Sequence, residues 1–213
     1  MAYREVDSLN GMNLSEWMEK QMLWLHSANV NFSDNPFEPF FTRGAVEFKN
    51  DNLGHRVQAY THYNRDEDQN GRPVLSMNNN TPLYVDMLPA FYFVGEVYEG
   101  RRLNNVADCQ EITRRHTHQS SNIYGKIKKA GEQFTNLTPK FTEHRLSIDV
   151  PDDSELAANF FYPVERGQHI NGWVVGYISL IEKLDPGNYS LEFGGQGPPD
   201  YSTRSTYKLK VRA

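Results

Sequence analysis

Residues 184–197 read LDPGNYSLEFGGQG, and this stretch carries the clearest fold signal in the chain. Its Asp185-Pro186-Gly187-Asn188 segment predicts a tight turn, because proline presets its φ angle while glycine and asparagine tolerate left-handed backbone geometry. In the NYSLEFGG that follows, apolar and polar residues alternate, which is the pattern of a strand with one buried and one solvated face. We therefore predict one turn, one strand and then a second, looser loop.

The same alternation continues on both sides of this stretch. In TYKLKVRA, residues 206–213, apolar residues point one way and basic residues the other, and we expect the basic residues to guard an edge strand against unwanted pairing. Segments 141–150 and 173–184 are also predicted strands, and residues 45–100 contain several shorter ones. Many short strands with turns at fairly regular spacing favour a sandwich. We predict a mainly β chain, an antiparallel, jelly-roll-like β-sandwich with one N-terminal amphipathic helix.

The helix is predicted in NLSEWMEKQMLWLHS, residues 13–27. Asn13 can cap it, and Glu16 follows three residues later, as in a capping box. Apolar residues then recur at three- and four-residue spacing, a stripe that packs on the chain's own sheet or on a partner. The Phe- and Pro-rich segment after the helix cannot be regular helix and is expected to be extended. The predicted partner-binding residues are Trp17, Met18, Met22, Trp24, Leu25, Phe37, Phe40 and Phe41.

These patterns divide the chain into two parts. Residues 1–42 form the helix and the extended anchoring segment, and residues 43–213 form the β-sandwich domain. A long polar insertion is predicted near 101–140, where the periodicity is weak and one short helix or ribbon would fit.

Composition excludes several classes of protein. The net charge is −5, and a mildly acidic chain lacks the basic footprint of a general nucleic-acid binder or of a polybasic membrane anchor. The apolar runs are too short to span a bilayer, and the N-terminus has no signal-peptide pattern. With Cys109 as the single cysteine, no internal disulfide can form. We expect a chain that is made in a cytoplasm, with no nucleic-acid and no membrane partner.

A D-x-D-x-N-G pattern formed by Asp66, Asp68, Asn70 and Gly71 is a candidate calcium site. That spacing places oxygen ligands around a small cation at the start of an EF-hand loop. The twelfth position is Met77, however, so the closing glutamate is missing. We favour a solvated hairpin tip here, and no cofactor is expected unless this loop binds Ca²⁺.

His116 and His118 are a second metal candidate, since two residues at i and i+2 on a strand face the same side. A third ligand would come from Glu143, His144, His55 or His62. The neighbouring Arg114 and Arg115 oppose metal binding, and we favour two polar surface histidines.

Two further candidates are weaker still. Cys109 as a nucleophile would need a base, and only His116 is near it in sequence. Tyr60, Tyr63 and Tyr124 are aromatic residues that could stack on sugars, although core packing explains most tyrosines in a β protein equally well. The phosphate-binding, dinucleotide-binding and serine-hydrolase motifs are absent.

Three segments together resemble a family of bacterial and marine tailed-phage β-sandwich proteins with no assigned activity. They are LSEWMEKQMLWLHS near the start, NPF at 35–37, and INGWVVGYISLIEKLDPGNYSLEFGG at 170–195. The resemblance implies a Trp-rich helix, an Asn-Pro turn, a Gly-Trp strand and a Leu-x-Pro-Gly hairpin. Cellular members resemble exported proteins with a leader and a cysteine pair, and residues 43–78 here contain no cysteine.

Two functional hypotheses follow. The first is a non-enzymatic structural protein of a phage virion, located in the capsid, neck or tail. It would contact other virion subunits or further copies of itself through the helix and the Phe-rich segment. The alternative is a carbohydrate-binding module or a small metal-dependent β-barrel enzyme.

Overall fold

The computed structural model describes residues 3–26, 40–42, 45–48, 65–67, 73–150, 167–197 and 201–213. Within them the chain is mainly β. The helices are α1 (Leu14–His26) and α2 (Val106–His118). The strands are β1 (Tyr3–Val6), β2 (Ser8–Leu9), β3 (Met12–Asn13), β4 (Phe40–Thr42), β5 (Ala45–Phe48), β6 (Arg65–Glu67), β7 (Pro73–Asn78), β8 (Leu83–Asp86), β9 (Ala90–Phe93), β10 (Val97–Tyr98), β11 (Arg101–Arg102), β12 (Ser121–Lys129), β13 (Thr135–Asn136), β14 (Lys140–Asp149), β15 (His169–Leu184), β16 (Gly187–Gly197) and β17 (Tyr201–Arg212).

The long strand β15 organises a six-stranded sheet, which we call the first sheet. Along one side it pairs with β14 and then with β1, where Val6 lies opposite Leu180. Along the other side it pairs with β9 and β8, and β4 extends the sheet beyond β8. The strand β1 thus pairs with residues 174 to 181 positions later, and within the described part of residues 1–42 the strand β4 also belongs to this sheet.

A seven-stranded second sheet has the order β13-β12-β16-β17-β7-β6, with β5 also paired to β17. Its longest pairing joins β16 and β17, from Gly187 opposite Val211 at one end to Gly197 opposite Tyr201 at the other. The sheets are mostly antiparallel, as predicted, but β4 pairs with β8 and β7 pairs with β17 in parallel. The predicted antiparallel pairing therefore holds for most strands and misses these two pairs, which join strands distant in sequence.

Strand β17 lies between β16 and the β5 and β7 strands, so it is not an edge strand. The prediction that its basic residues protect a sheet edge is wrong for that reason.

The hairpin predicted around Asn70-Gly71 is present as the antiparallel pairing of β6 with β7, in which Asp66 lies opposite Val74.

Side chains from both sheets meet in one hydrophobic cluster. It joins residues of β8 and β15, such as Val85 and Ile181, to residues of β12, β16 and β17, such as Ile127, Leu191 and Leu209. Because neighbouring residues of a strand point to opposite faces, the other face of the first sheet is left for a different partner. That partner is α1, which buries Trp17, Met18 and Met22 against Val174 and Ile178, among others.

The predicted N-terminal helix and its cap are confirmed. The backbone N–H groups of Ser15 and Glu16 donate to Asn13 Oδ1 at 2.9 and 3.1 Å, and the N–H of Asn13 donates to the Glu16 carboxylate at 2.7 Å. This reciprocal arrangement is a capping box, which satisfies amide groups that a helix start leaves without partners.

The DPGN turn of the opening stretch connects the two sheets. β15 belongs to the first sheet and β16 to the second, and the chain crosses between them at Asp185 and Pro186. The turn is therefore a corner and not the predicted hairpin. The looser loop predicted after it is also wrong, since β16 continues through the GGQG residues to Gly197.

Residues 101–140 are less irregular than predicted, and the short helix that is one of the two options predicted for them is present as α2. α2 begins at an Asn105 cap that accepts from the Asp108 N–H, and its Cys109 and Ile112 pack against Tyr92 of β9 and Trp173 of β15. β12 is hydrogen-bonded to β16 within the second sheet. The segment is therefore part of the core. Within the described residues, neither helix is long and apolar enough to cross a bilayer.

Candidate functional site

Three of the predicted partner-binding residues lie inside the chain's own core. Trp17, Met18 and Met22 are exposed by 2%, 1% and 1% of their surface, and they contact the first sheet. The Trp17 indole N–H donates to the carbonyl oxygen of Leu9 at 3.2 Å. Their assignment to a partner surface is wrong, because these three side chains are already covered by the first sheet.

A polar contact also holds α1 to the first sheet. Gln21 and Asp86 are both buried, and the Gln21 amide donates to Asp86 Oδ2 at 2.7 Å. Buried polar groups stabilise a fold only when they are paired, so this contact fixes the position of the helix on the sheet.

Other predicted site residues fall partly or wholly outside the described part of the chain. Phe37, Asp68 and Asn70 lie outside it, as do His55, His62, Tyr60 and Tyr63. Phe40 and Phe41 belong to β4, and Asp66 belongs to β6. Trp24 and Leu25 belong to the last turns of α1. For these five residues the structure describes the backbone. Calcium binding by the Asp66 loop stays a prediction.

His116 and His118 are on a helix, so the strand geometry assumed for them is wrong. Residues two apart on a helix point in directions about 200° apart, and the pair does not converge on one ion. His116 Nε2 is 2.6 Å from the Tyr98 hydroxyl, and its ring also contacts Tyr92 edge-on. Burial, aided by the charge of Arg115, lowers the pKa of His116. This histidine is a neutral part of an aromatic contact between α2 and the β10–β11 hairpin.

The other described metal candidates are engaged in pairs. Arg114 donates two hydrogen bonds to the Glu143 carboxylate, at 2.8 and 2.5 Å, and the Trp173 indole donates a third at 3.2 Å. The Arg114 contact is the main reason that the pKa of Glu143 is lowered. His144 lies 3.1 Å from Glu19. Within the described ranges, histidine, cysteine and carboxylate side chains do not group in threes as a metal site requires.

Cys109 lies on the face of α2 that packs against β9 and β15, and it is fully buried there. Burial raises the pKa of its thiol to about 11, and nearby Glu96 and Asp108 act in the same direction. The thiolate is the reactive form of cysteine, so this thiol is a core residue and a poor nucleophile.

Glu96 is also buried, and desolvation raises the pKa of its carboxyl to about 8, although it accepts the Phe93 N–H at 3.0 Å.

The feature that sequence reasoning missed is the outer face of the second sheet. The residues of β12, β16 and β17 that alternate with the buried ones point outward together, because the three strands are paired in register. We call these outward residues the basic face. Its six cations are Lys126, Lys128, Arg204, Lys208, Lys210 and Arg212.

The basic face concentrates charge of one sign on an acidic protein. The chain has a net charge of −5, yet Glu192 is the single carboxylate on the outward positions of these three strands. Glu47 and Asp66 belong to β5 and β6, which lie on the far side of β17 from β16. Basic residues alternate with apolar ones in KIKK, residues 126–129, and in KLKVR, residues 208–212. No local pattern indicates that these two segments lie on the same face of one sheet.

Rows of paired residues cross the basic face. One row contains Lys126, Glu192 and Thr206, with a 2.9 Å ion pair between the first two. The next contains Lys128, Ser190 and Lys208, and the Lys208 ammonium donates to the Ser190 hydroxyl at 2.7 Å. Cations thus alternate with neutral or acidic hydrogen-bonding groups across the strands.

Aromatic rings lie at one margin of this face. The ammonium groups of Lys126 and Lys128 lie 4.6 and 4.5 Å from the ring centre of Phe134, which anchors them by cation–π contact. Tyr124 is exposed, and it shares a row with Gly194 and Arg204. The Tyr124 ring and the Arg204 guanidinium therefore lie on either side of Gly194, which has no side chain.

Comparisons of the chain with protein-family models, with curated proteins and with solved structures gave no significant match.

Proposed function

We propose that this chain is a non-enzymatic β-sandwich protein that acts by contact, with the basic face as its binding surface. In this proposal the two sheets form the two layers, and the cluster they share is the sandwich core. The setting that we propose is a phage virion surface, where the chain would be one of the capsid, neck or tail components.

The observation that supports a contact role is the segregation of charge. A sheet face with six cations on a chain of net charge −5 creates a local field that attracts an oppositely charged partner and orients it during approach. The strands that carry these cations also bury Ile127, Leu191 and Leu209 in the core, so the surface is held on rigid elements.

The virion setting rests on the sequence resemblance at residues 14–27, 35–37 and 170–195. Trp17, Met18 and Met22 are buried in the core, so these three residues no longer serve in the proposed anchor. The proposed contact with other virion subunits stays with the Phe-rich segment after α1, and the basic face is the proposed binding surface for a partner of opposite charge.

Particle composition tests this proposal. Purified particles of the phage that encodes the chain are analysed by quantitative mass spectrometry, and we expect the chain in a fixed copy number per particle after a high-salt wash and gradient repurification. Absence of the chain from the purified particles, or a variable trace that the wash removes, would contradict the virion role.

A carbohydrate-binding role is a second candidate because of Tyr124. Its exposed ring lies beside Gly194 on a face that also presents amide and hydroxyl side chains, and such a combination suits stacking and hydrogen bonding to a sugar. Within the described residues, the side chains do not form a metal-binding group that would favour the metal-dependent enzyme.

A further inference from the structure

We propose that the basic face binds a linear carboxylated polysaccharide, of the kind built from uronic-acid units. The inference deepens the proposed function, since it depends on this face being the contact surface, and it names the chemistry of the partner. It is argued from three features of the face: the spacing of its cations, the neutral groups between them and its few exposed rings.

The cations form a track that is longer than one sugar unit. Outward residues repeat every second position along β17, which is about 6.6–6.8 Å, and adjacent strands lie about 4.8 Å apart. Lys128 and Lys208 are in one row on strands separated by β16, so their backbones are about 10 Å apart. Arg204, Lys208 and Lys210 extend the track along β17. A linear polyanion lying over these strands meets a cation at repeated intervals.

Neutral hydrogen-bonding residues separate the cations. The exposed Thr206 lies between Arg204 and Lys208 along β17, and the exposed Asn188 lies opposite Lys210. A polyuronate carries one carboxylate on each sugar with hydroxyl groups between, so its groups alternate in the same manner. Amide and hydroxyl side chains can donate to and accept from sugar hydroxyls, whereas Arg and Lys bind the carboxylates.

A single-stranded nucleic acid fits the face less well. Proteins that bind single strands use a series of aromatic rings on which successive bases stack. Among the outward residues of β12, β16 and β17, Tyr124 is the one aromatic side chain, and the nearby Phe134 ring is occupied by two lysine ammonium groups. One ring suits a single sugar–aromatic contact better than a run of stacked bases.

Affinity electrophoresis of the intact chain provides the test. The probes are polygalacturonate, sulfated dextran with one charge per sugar, neutral dextran and a thirty-nucleotide oligo(dT), each at low and moderate salt. We expect polygalacturonate to retard the protein at low salt, with weaker retardation as salt screens the charges. Neutral dextran should leave its mobility unchanged.

Matched variants separate the basic face from net charge. Lys208→Gln with Lys210→Gln removes two cations from the face, and Arg145→Gln with Lys183→Gln removes two exposed cations of the first sheet. We expect the face variant to bind polygalacturonate at least tenfold more weakly, and the control variant to stay within twofold of the wild type. Equal melting temperatures establish that both variants are folded.

Four results would overturn the inference: no retardation by polygalacturonate at low salt, equal weakening by the two double variants, tighter binding of the sulfated dextran, or tighter binding of oligo(dT). Incorporation into particles is measured independently of these probes. A chain that is present in particles but does not bind polygalacturonate would therefore reject the ligand and retain the contact role.

Discussion

The Tyr189 hydroxyl donates a hydrogen bond to the carbonyl oxygen of Asp185, 2.7 Å away, across the corner where the chain leaves the first sheet and enters the second. The Tyr189 ring is buried in the cluster shared by the two sheets, so the bond joins the core to the backbone of the corner. A tyrosine that bonds back to the backbone a few residues upstream has the same role in the tyrosine corner of Greek-key sandwiches. This contact makes the corner a fixed element.

Replacing Tyr189 by phenylalanine keeps the buried ring and removes the donor. We expect the free energy of unfolding to fall by about 1 kcal/mol, the typical net worth of one hydrogen bond. For a chain of this length that lowers the melting temperature by roughly 2–4 °C. Urea unfolding and calorimetry measure the two quantities. The exposed Tyr124→Phe variant is the control and should change stability by less than about 0.5 kcal/mol. Equal effects of the two variants would show that the corner bond contributes nothing.

The adjacent glycines 194 and 195 should respond differently to alanine. A Cβ at Gly194 would lie 2.2 Å from the backbone carbonyl oxygen of Thr203, whereas at Gly195 the nearest atoms are side-chain carbons of Ile123 and Leu88 at 3.2 and 3.3 Å. A backbone atom in a sheet cannot move away as a side chain can, so we expect Gly194→Ala to cost about 1–3 kcal/mol. Gly195→Ala should cost less. Chemical denaturation of both proteins checks the order, and a reversed order would refute the close approach.

Glu96 gives the stability a specific pH dependence. Its pKa is raised from the ordinary 4.5 to about 8 in the folded chain, chiefly by desolvation. Between these two values the folded state holds a proton that the unfolded state has released. The contribution of Glu96 to the free energy of unfolding is therefore greatest below pH 4.5, and it decreases as the pH rises from 4.5 to about 8.

Glu96→Gln removes this titration and keeps an oxygen that can accept the Phe93 N–H. We expect the variant to lose less stability than the wild type between pH 5 and about 8, as measured by urea unfolding at several pH values. Glu99→Gln removes a carboxylate of the neighbouring hairpin that is exposed, and it serves as the charge-matched control. Parallel pH profiles for wild type and Glu96→Gln would contradict the buried carboxyl.

The single thiol should be inert until the chain unfolds. Cys109 is fully buried, and its raised pKa of about 11, against an ordinary 9.0, leaves about a hundredfold less thiolate at pH 8. We expect Ellman's reagent to modify the native protein orders of magnitude more slowly than the protein in guanidinium. Rapid modification of the folded protein would mean that the face of α2 carrying Cys109 is not packed against β9 and β15.

Local features of the fold could be predicted from the sequence because their signals are local. The alternation in NYSLEFGG and TYKLKVRA indicates strands, and Asn13 with Glu16 indicates a helix start. The DPGN segment likewise predicts a change of direction. It does not indicate whether the next strand pairs with the previous one, and here β16 pairs with β12 and β17 instead.

Features that depend on distant pairing could not be predicted in this way. The parallel pairs and the contact of β1 with β15 join segments that share no local pattern. The basic face depends on β12 and β17 flanking β16, which no short segment encodes. α2 was within reach, because Asn105 as a cap and the spacing of Cys109, Ile112 and His116 form a helical signature.

The packing of α1 against β15 has a consequence for synthesis of the chain on the ribosome. The apolar side of α1 emerges early, but the β15 residues that cover it, such as Val174 and Ile178, are translated about 150 residues later. At 5–20 residues per second that delay is roughly 8 to 30 seconds, during which the nascent helix has no sheet to bind. Trigger-factor-like chaperones, which hold exposed apolar segments, are therefore expected to engage the first 26 residues while the remainder of the chain is being made.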